Sequence, residues 1–402
     1  MATPILASFR RRHWLVAAGF LAALPATPLP AFEASAGERQ DASGAPADRE
    51  ESPPPSSQRP VDNKESGARW TFSAEAIGLA RFGGVDRTLV ARVPGSVPYL
   101  DPLHLDTSND PGVAAFNSNQ FRQGFSAGPK LSLIYRDDSG YGVELSYFNI
   151  FNQSATKAVG PDGDWLVMKA PGTFWQTQDF PDQAMVWKAT TSLYSAEANG
   201  RLTLSGGATV LAGVRWLQLN DGLQGTLTPA DARAPTWKQN QNCADDDLSE
   251  VPSCLPPGGP AGNYPPFWTT NATNALYGVQ VGAEGTLLEL GRWSLDGLLK
   301  VGLYDDNARQ GTGVSLKKVV HPSSAQTNRA AFASEANVRV KYRISDSLAL
   351  KVGYEALWLD GVALAPGQIQ ETLTLAKPRA LGVNCGSNVL FQGATFGLEV
   401  TF

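Results

Sequence analysis

The sequence predicts an all-β chain: a transmembrane antiparallel up-and-down β-barrel of about ten strands, with twelve as the alternative count. Three observations predict it. Apolar and polar residues alternate with a period of two from Trp70 to the end of the chain. Aromatic residues mark both ends of the apolar face at a fixed interval. The connections between strands alternate between short and long, as an even-stranded barrel with both termini on one side requires.

Ten segments carry the alternation, near 70–82, 122–136, 140–151, 185–199, 207–219, 273–288, 291–304, 329–344, 347–358 and 388–402. The first places Trp70, Phe72, Ala74, Ala76, Gly78, Ala80 and Phe82 on one face, with Glu75 and Arg81 on the other. The clearest alternates Ala336, Val338, Val340 and Tyr342 with Glu335, Asn337, Arg339 and Lys341. Short turns fall at 137–139, 205–206, 290–291 and 345–346. Long connections fill 83–121, 152–184, 220–272, 305–328 and 359–387.

Period two alone does not say which face meets lipid, because a soluble barrel alternates too. The aromatic interval decides. Phe72/Phe82, Phe125/Tyr135, Tyr141/Phe151 and Phe332/Tyr342 are each ten residues apart. Ten residues rise about 33 Å, and a strand tilt near 40° reduces this to about 25 Å, the height of an outer-membrane apolar band. A soluble core has no reason to repeat at that interval. Trp216, Tyr277 and Trp358 join the outer belt and Trp293 the inner one.

The polar face then lines a lumen. It carries Glu75, Arg81, Lys130, Glu144, Glu197, Glu284, Asp296, Lys300, Glu335, Arg339, Lys341, Lys351, Glu355 and Glu399. Both signs are present, with Gly and Ser between them.

The N-terminus reads as an export address. Arg10, Arg11, Arg12 and His13 precede an apolar stretch, Trp14 to Leu24, that is too short to span a membrane. Cleavage at Ala34-x-Ala36, or near Ala31, gives a signal peptide over 1–36. The pair Arg11-Arg12 faintly resembles a twin-arginine signal, but a barrel must cross the inner membrane unfolded, which favours ordinary secretion. Residues 37–69 are rich in Pro, Ser, Glu, Asp and Ala and form a linker with no hydrophobic pattern. The barrel occupies 70–402.

The chain ends Thr395-Phe396-Gly397-Leu398-Glu399-Val400-Thr401-Phe402. This resembles the signal that outer-membrane barrels present to their assembly machinery, with Gly397, Val400 and Phe402 in its slots. The departure is Val400, where an aromatic is common. Outer-membrane lipid and that machinery are the implied partners, and the bacterial outer membrane the implied location. Oligomeric state is not legible.

Composition bounds the rest. The 402 residues carry a formal net charge of -5 and no long basic run, which excludes a nucleic-acid binder. Mean hydropathy is -0.19, and no apolar run of 18 residues occurs beyond the N-terminus, so helical spanning is excluded. Cys243 and Cys254 sit in a polar, Pro-rich stretch. A loop disulfide is the natural assignment and two free thiols the alternative. Cys385 reads as an ordinary small residue near a strand start. No C-x-x-C pattern calls for zinc, and no cofactor is implied. Asp245, Asp246, Asp247 and Glu250 read as a solvated acidic loop, with calcium as the sharper alternative.

The stretches GYEALWLDGVALAPGQI at 353–369, SAEAN at 195–199, GVRWL at 213–217 and FQGATFGLE at 391–399 together resemble the outer-membrane β-barrel porin-7 family. The resemblance covers 70–402 and implies a fold, a location and a porin label. It carries no catalytic or binding motif onto this chain.

Catalytic signatures are lacking: there is no phosphate loop or nucleotide fingerprint. Omptin-type proteases also use ten strands with acidic and His residues at the outer rim. His104 has Asp101 and Asp106 nearby, but loop residues of that kind are common, and an enzyme is not expected. Two functions remain. One is a porin-like channel for small solutes or ions, narrow because small barrels fill with side chains, or gated by the loop 220–272. Its selectivity would come from Lys300, Lys341, Lys351 and Arg339 against Glu335 and Glu355. The other is a non-conducting surface barrel that displays its loops.

Overall fold

The computed structural model describes residues 69–93, 113–160, 165–169, 176–177, 184–228, 267–316, 319–368 and 382–402. Side chains of 93, 165, 167–169, 176–177, 227–228, 267 and 314–323 are outside the description. So are the signal segment 1–36, the linker 37–68, Cys243, Cys254, the acidic loop, His104, Asp101 and Asp106.

Among the described residues fourteen strands follow one another: β1 Arg69–Gly83, β2 Thr88–Val93, β3 Val113–Asn117, β4 Ser126–Arg136, β5 Tyr141–Val159, β6 Trp165–Lys169, β7 Gln176–Thr177, β8 Ala184–Thr203, β9 Thr209–Thr228, β10 Phe267–Leu290, β11 Trp293–Leu316, β12 Val319–Arg343, β13 Leu348–Val362 and β14 Ser387–Thr401. Ten of them close an antiparallel barrel in the order β1-β14-β13-β12-β11-β10-β9-β8-β5-β4. The seam is sealed at its lower end by reciprocal bonds: Trp70 N–H donates to the Phe402 carbonyl at 2.8 Å and Phe402 N–H to the Trp70 carbonyl at 2.9 Å.

The period of two sorts the wall as it must, since successive side chains point to opposite faces. Phe72, Val143, Leu145, Val279, Val281, Leu299, Val301, Val338, Val340, Val352 and Leu398 are large, apolar and exposed on the outside. Their sequence neighbours Ser73, Glu144, Gln280, Lys300, Asn337, Lys351 and Glu399 face inward. An exposed apolar wall of this extent is stable only against lipid. Trp70, Tyr135, Tyr141, Trp293 and Tyr342 ring its lower edge, with Trp70 on Tyr135 (centroids 5.0 Å) and Trp293 on Tyr342 (4.6 Å). Phe82, Phe125, Phe151, Tyr277, Phe332 and Trp358 ring its upper edge. Tyr147, Tyr354 and Phe396 also face outward between the belts.

The lower end carries the tight turns. Asp137 organises one of them: its carboxylate accepts from the Ser139 hydroxyl at 2.7 Å and from Tyr141 N–H at 2.8 Å. The upper end departs from the sequence expectation. The connection 305–328 is not a long loop, because β11 and β12 pair out to Leu316↔Val319. Strands β5, β8, β9 and β10 likewise extend to 159, 184, 228 and 267. Strand β4 instead starts late, at Ser126. The reason is solvent. Above the belt the outer face meets water, so Asn271, Thr273, Asp305 and Arg309 point outward and the alternation loses its contrast.

Two further expected loops, 83–121 and 152–184, contain a four-stranded sheet in the order β3-β2-β6-β7. Leu89, Val90, Phe116 and Leu166 from it pack with Val159, Met185, Trp187, Leu223 and Trp268 from the protruding walls, all buried. The barrel mouth thus holds a second apolar core.

A charge on the lipid face separates this architecture from a water-soluble barrel. Val338→Arg lies near mid-belt and should cost about 2–4 kcal/mol, as Arg does at the bilayer midplane. Urea unfolding from phospholipid vesicles measures it. An unchanged midpoint would mean that this face does not meet lipid.

Candidate functional site

The interior of the barrel is the candidate site, and it is layered. The lower layer is ionic. Eight acids face inward there: Glu75, Glu144, Glu197, Glu284, Asp296, Glu335, Glu355 and Glu399. Seven bases answer them: Lys130, Arg201, Arg215, Lys300, Arg339, Lys341 and Lys351.

The pairings link strands that are distant in sequence. Lys351 Nζ lies 2.8 Å from Glu75 and 3.4 Å from Glu399. Lys341 bridges Asp296 at 3.3 Å and Glu399 at 3.2 Å. Arg201 meets Glu144, and Glu284 at 2.8 Å; Arg339 meets the other oxygen of Glu284 at 2.9 Å. Lys300 holds Glu197 at 2.6 Å, and Gln280 donates to Glu197 at 2.5 Å. Lys130 meets Glu355, which also accepts from Asn337 at 3.0 Å. Arg215 meets Glu335 at 2.7 Å.

Each of the fourteen charges singled out from sequence therefore faces the interior, and each has an opposite charge within 4 Å. Lys300, Lys341, Lys351 and Arg339 do not form a ring of like charge set against Glu335 and Glu355. They are individually neutralised, with Glu197, Asp296, Glu75, Glu399 and Glu284 as their partners. Sequence reasoning missed Arg201, Arg215 and Asp221. Arg215 has the inward parity of GVRWL at 213–217, so the signal was there. Arg201 and Asp221 lie just past the ends assigned to their strands.

Above the ionic layer the lumen turns apolar. Ile77, Leu79, Phe148, Ile150, Leu193, Leu217, Leu219, Leu276, Tyr304, Leu357, Leu359, Val389 and Phe391 form one buried cluster with Ala331, Ala333, Val362 and Leu364. Nine of the ten barrel strands contribute to it, β4 being the exception. Its members are almost completely buried, so side chains fill the lumen at this level and the cluster reads as a septum.

A short segment seals the septum from above. At Gly361 (φ 80°) the end of β13 bulges, and no other residue type adopts that backbone without strain. Residues 362–368 then turn inward and are buried. Asn274 clasps them in both directions: its Nδ2 donates to the Ala363 carbonyl at 2.7 Å and its Oδ1 accepts from Ala363 N–H at 2.6 Å. Asp221 accepts from Ala365 N–H at 2.8 Å, from Arg81 at 2.6 Å and from Thr191 at 2.8 Å. Gln368 ties the segment to Asn384 at 2.9 Å. Cys385 is a free thiol, buried beside Ala272, Ala308 and Ala363. Among the described residues no group of three His, Cys, Asp or Glu side chains could hold a metal.

Closed strand topology, a lipid-facing apolar band and paired interior charges define a class: the chain is an outer-membrane β-barrel. No family model matches the sequence, and no curated protein matches it closely enough to count as a relative. Among solved structures it is similar to the outer-membrane protease OmpT of Escherichia coli, at 9% identity over 83% of this chain and 97% of that one, with a TM-score of 0.42. It is similar at a lower level to a Pseudomonas aeruginosa FadL homologue, at 9% identity over 83% and 89% of the chains and a TM-score of 0.25. An anion-selective porin from Comamonas acidovorans follows, at 9% identity over 82% and 100% and a TM-score of 0.17. Likeness at this level carries no activity across, and function rests on the geometry above.

The ionic layer has a measurable signature. Glu335→Gln leaves Arg215 charged, buried and without its carboxylate, which should cost about 3–5 kcal/mol. Adding Arg215→Met should restore most of that loss, because an apolar replacement of the whole pair is close to neutral. A double-mutant cycle by urea unfolding tests it; additive losses would show that the two residues act independently.

Proposed function

We propose that the protein works as a closed, non-conducting surface barrel, exported through its N-terminal signal peptide and assembled in the outer membrane through the Gly397, Val400 and Phe402 end. The observation that carries this is the septum. An ion in transit would have to displace paired charges and then cross a layer made mostly of Leu, Ile and Phe side chains. Moving an ion into such a layer costs many kcal/mol. What the chain invests in instead is its upper end, where long strands and a four-stranded sheet pack into a rigid platform. A platform of this kind supports the connecting segments as a recognition surface, which suits adhesion or anchoring.

A second reading, a gated porin-like channel, is favoured by the segment 362–368. It enters from the upper end and is held there mainly by hydrogen bonds to Asn274, Asp221 and Asn384.

Planar-bilayer recording separates the two. The closed barrel should give no discrete steps, and neither should the Asn274→Ala/Asp221→Ala variant, because the buried side chains of the wall still fill the lumen beneath the displaced segment. Steps confined to the variant would favour the gated channel. Steady steps in the unmodified protein would overturn the closed reading.

A further inference from the structure

The barrel wall is incomplete in one place. Strand β4 pairs with β5 only from Lys130↔Phe148 to Arg136↔Gly142, whereas β8 and β9 pair from Ala184↔Thr228 to Thr203↔Thr209. Its ladder with β1 stops at Leu79↔Ser126. Above that level β1 and β5 face each other across the irregular segment 121–125. Side chains replace the missing ladder. Gln153 Nε2 donates to the Leu79 carbonyl at 2.5 Å, and the Ser126 hydroxyl donates to the Phe151 carbonyl at 2.9 Å.

Behind this segment lies a cavity of about 40 Å³, lined among others by Arg81, Ser118, Phe121, Gln123, Ala189 and Asp221. Two buried polar atoms of its lining have no partner: Arg81 Nε, a donor, and Gln123 Oε1, an acceptor on a residue only 9% exposed. Asn149 Oδ1 and Gln153 Oε1, on the strand bordering the gap, are also buried and unpartnered. Unmet buried groups of this kind mark where an occupant can supply the missing hydrogen bonds. The rim of the gap is aromatic and exposed, through Phe82, Phe125 and Phe151.

We propose that this gap and cavity form a binding site for a small neutral amphiphile with a hydroxyl head, an alcohol or a phenol. A hydroxyl is both donor and acceptor, so it can serve an unmet donor such as Arg81 Nε or an unmet acceptor such as Gln123 Oε1, with either orientation of the Gln123 amide. A carboxylate head would face Asp221, whose side chain is 1% exposed and already holds Arg81. A hydrocarbon would leave both orphan groups unmet. Water meets them too, but an amphiphile that enters past the belt aromatics Phe82, Phe125 and Phe151 packs against them as well. The site lies above the septum, so it does not depend on whether the barrel conducts.

The test uses the full protein in lipid nanodiscs, with empty discs subtracted, and fluorine NMR of 4-fluorophenol and 4-fluorotoluene. Saturable binding of 4-fluorophenol alone is expected. Gln123→Leu removes the acceptor and should weaken binding roughly tenfold, the worth of one good hydrogen bond, and Ala189→Leu fills the cavity and should weaken it at least as much. Heat-modifiable gel mobility shows which variants fold; Ala189→Leu decides the matter if Gln123→Leu does not. Equal behaviour of the two probes, or unchanged affinity in a folded variant, would overturn the proposal.

Discussion

Everything in this molecule follows from one constraint: inside a bilayer no backbone N–H or C=O group can be left for water to satisfy. A sheet meets that demand only by closing on itself. The closing contact is β1 against β14, in register from Thr71↔Thr401 to Gly83↔Val389. Once the ladder closes, the period of two has no freedom left. Each residue faces lipid or lumen, and a one-residue slip would put Glu75, Lys351 and Glu399 into hydrocarbon and Phe72 and Val352 into the lumen. Register is enforced by the cost of that exchange as well as by hydrogen bonds.

The same constraint explains why the lumen is ionic below and apolar above. Ten strands leave an interior that side chains can fill. Charges placed there lose most of their hydration, and they persist only where a partner is in reach. The lower layer supplies partners from opposite walls, as in Arg201 between Glu144 and Glu284. In the upper layer, residues 362–368 come down from the loop and carry apolar side chains with them. Their backbone groups then need partners of their own, and Asn274 and Asp221 provide them. The polar residues of the upper lumen are thus a consequence of burying a backbone segment inside an apolar layer.

The wall itself was legible in the sequence because lipid and lumen impose opposite polarity on alternate residues. All ten strands, the four short turns and both aromatic belts could be placed from that contrast. Legibility ended at the belt. Above Tyr277 and Leu303 the outer face turns polar, while inward positions such as Trp268 and Leu223 turn apolar to meet the second sheet. The pattern that marked strand thus faded where the strands continued. Asp221 was lost for this reason, since it lies two residues past the end assigned to β9. Arg215 was lost differently: its inward parity was visible, but nothing in a linear pattern says that Glu335, far along the chain, waits opposite it. Pairing between walls is a property of closure.

The short β4 shows how a local choice of residues propagates. Pro129 has no N–H to give a ladder, and Gly128 lies so close to the Asn149 carbonyl that a Cβ there would be 1.7 Å from its oxygen. Any other residue at 128 would force β5 outward. The two together hold the bottom of the gap narrow and stop the ladder above it, and β5 adapts by the bulge between Ile150 and Gln153. That bulge turns Gln153 inward to reach the Leu79 carbonyl, which β4 does not cover. A break in the wall is therefore bridged by side chains at the level of the upper belt, where the membrane interface tolerates polar groups. Had the ladder failed at mid-belt, Gln153 and Ser126 would stand in hydrocarbon. The break lies where lipid gives way to head groups, so the wall stays closed against hydrocarbon and opens only at its rim.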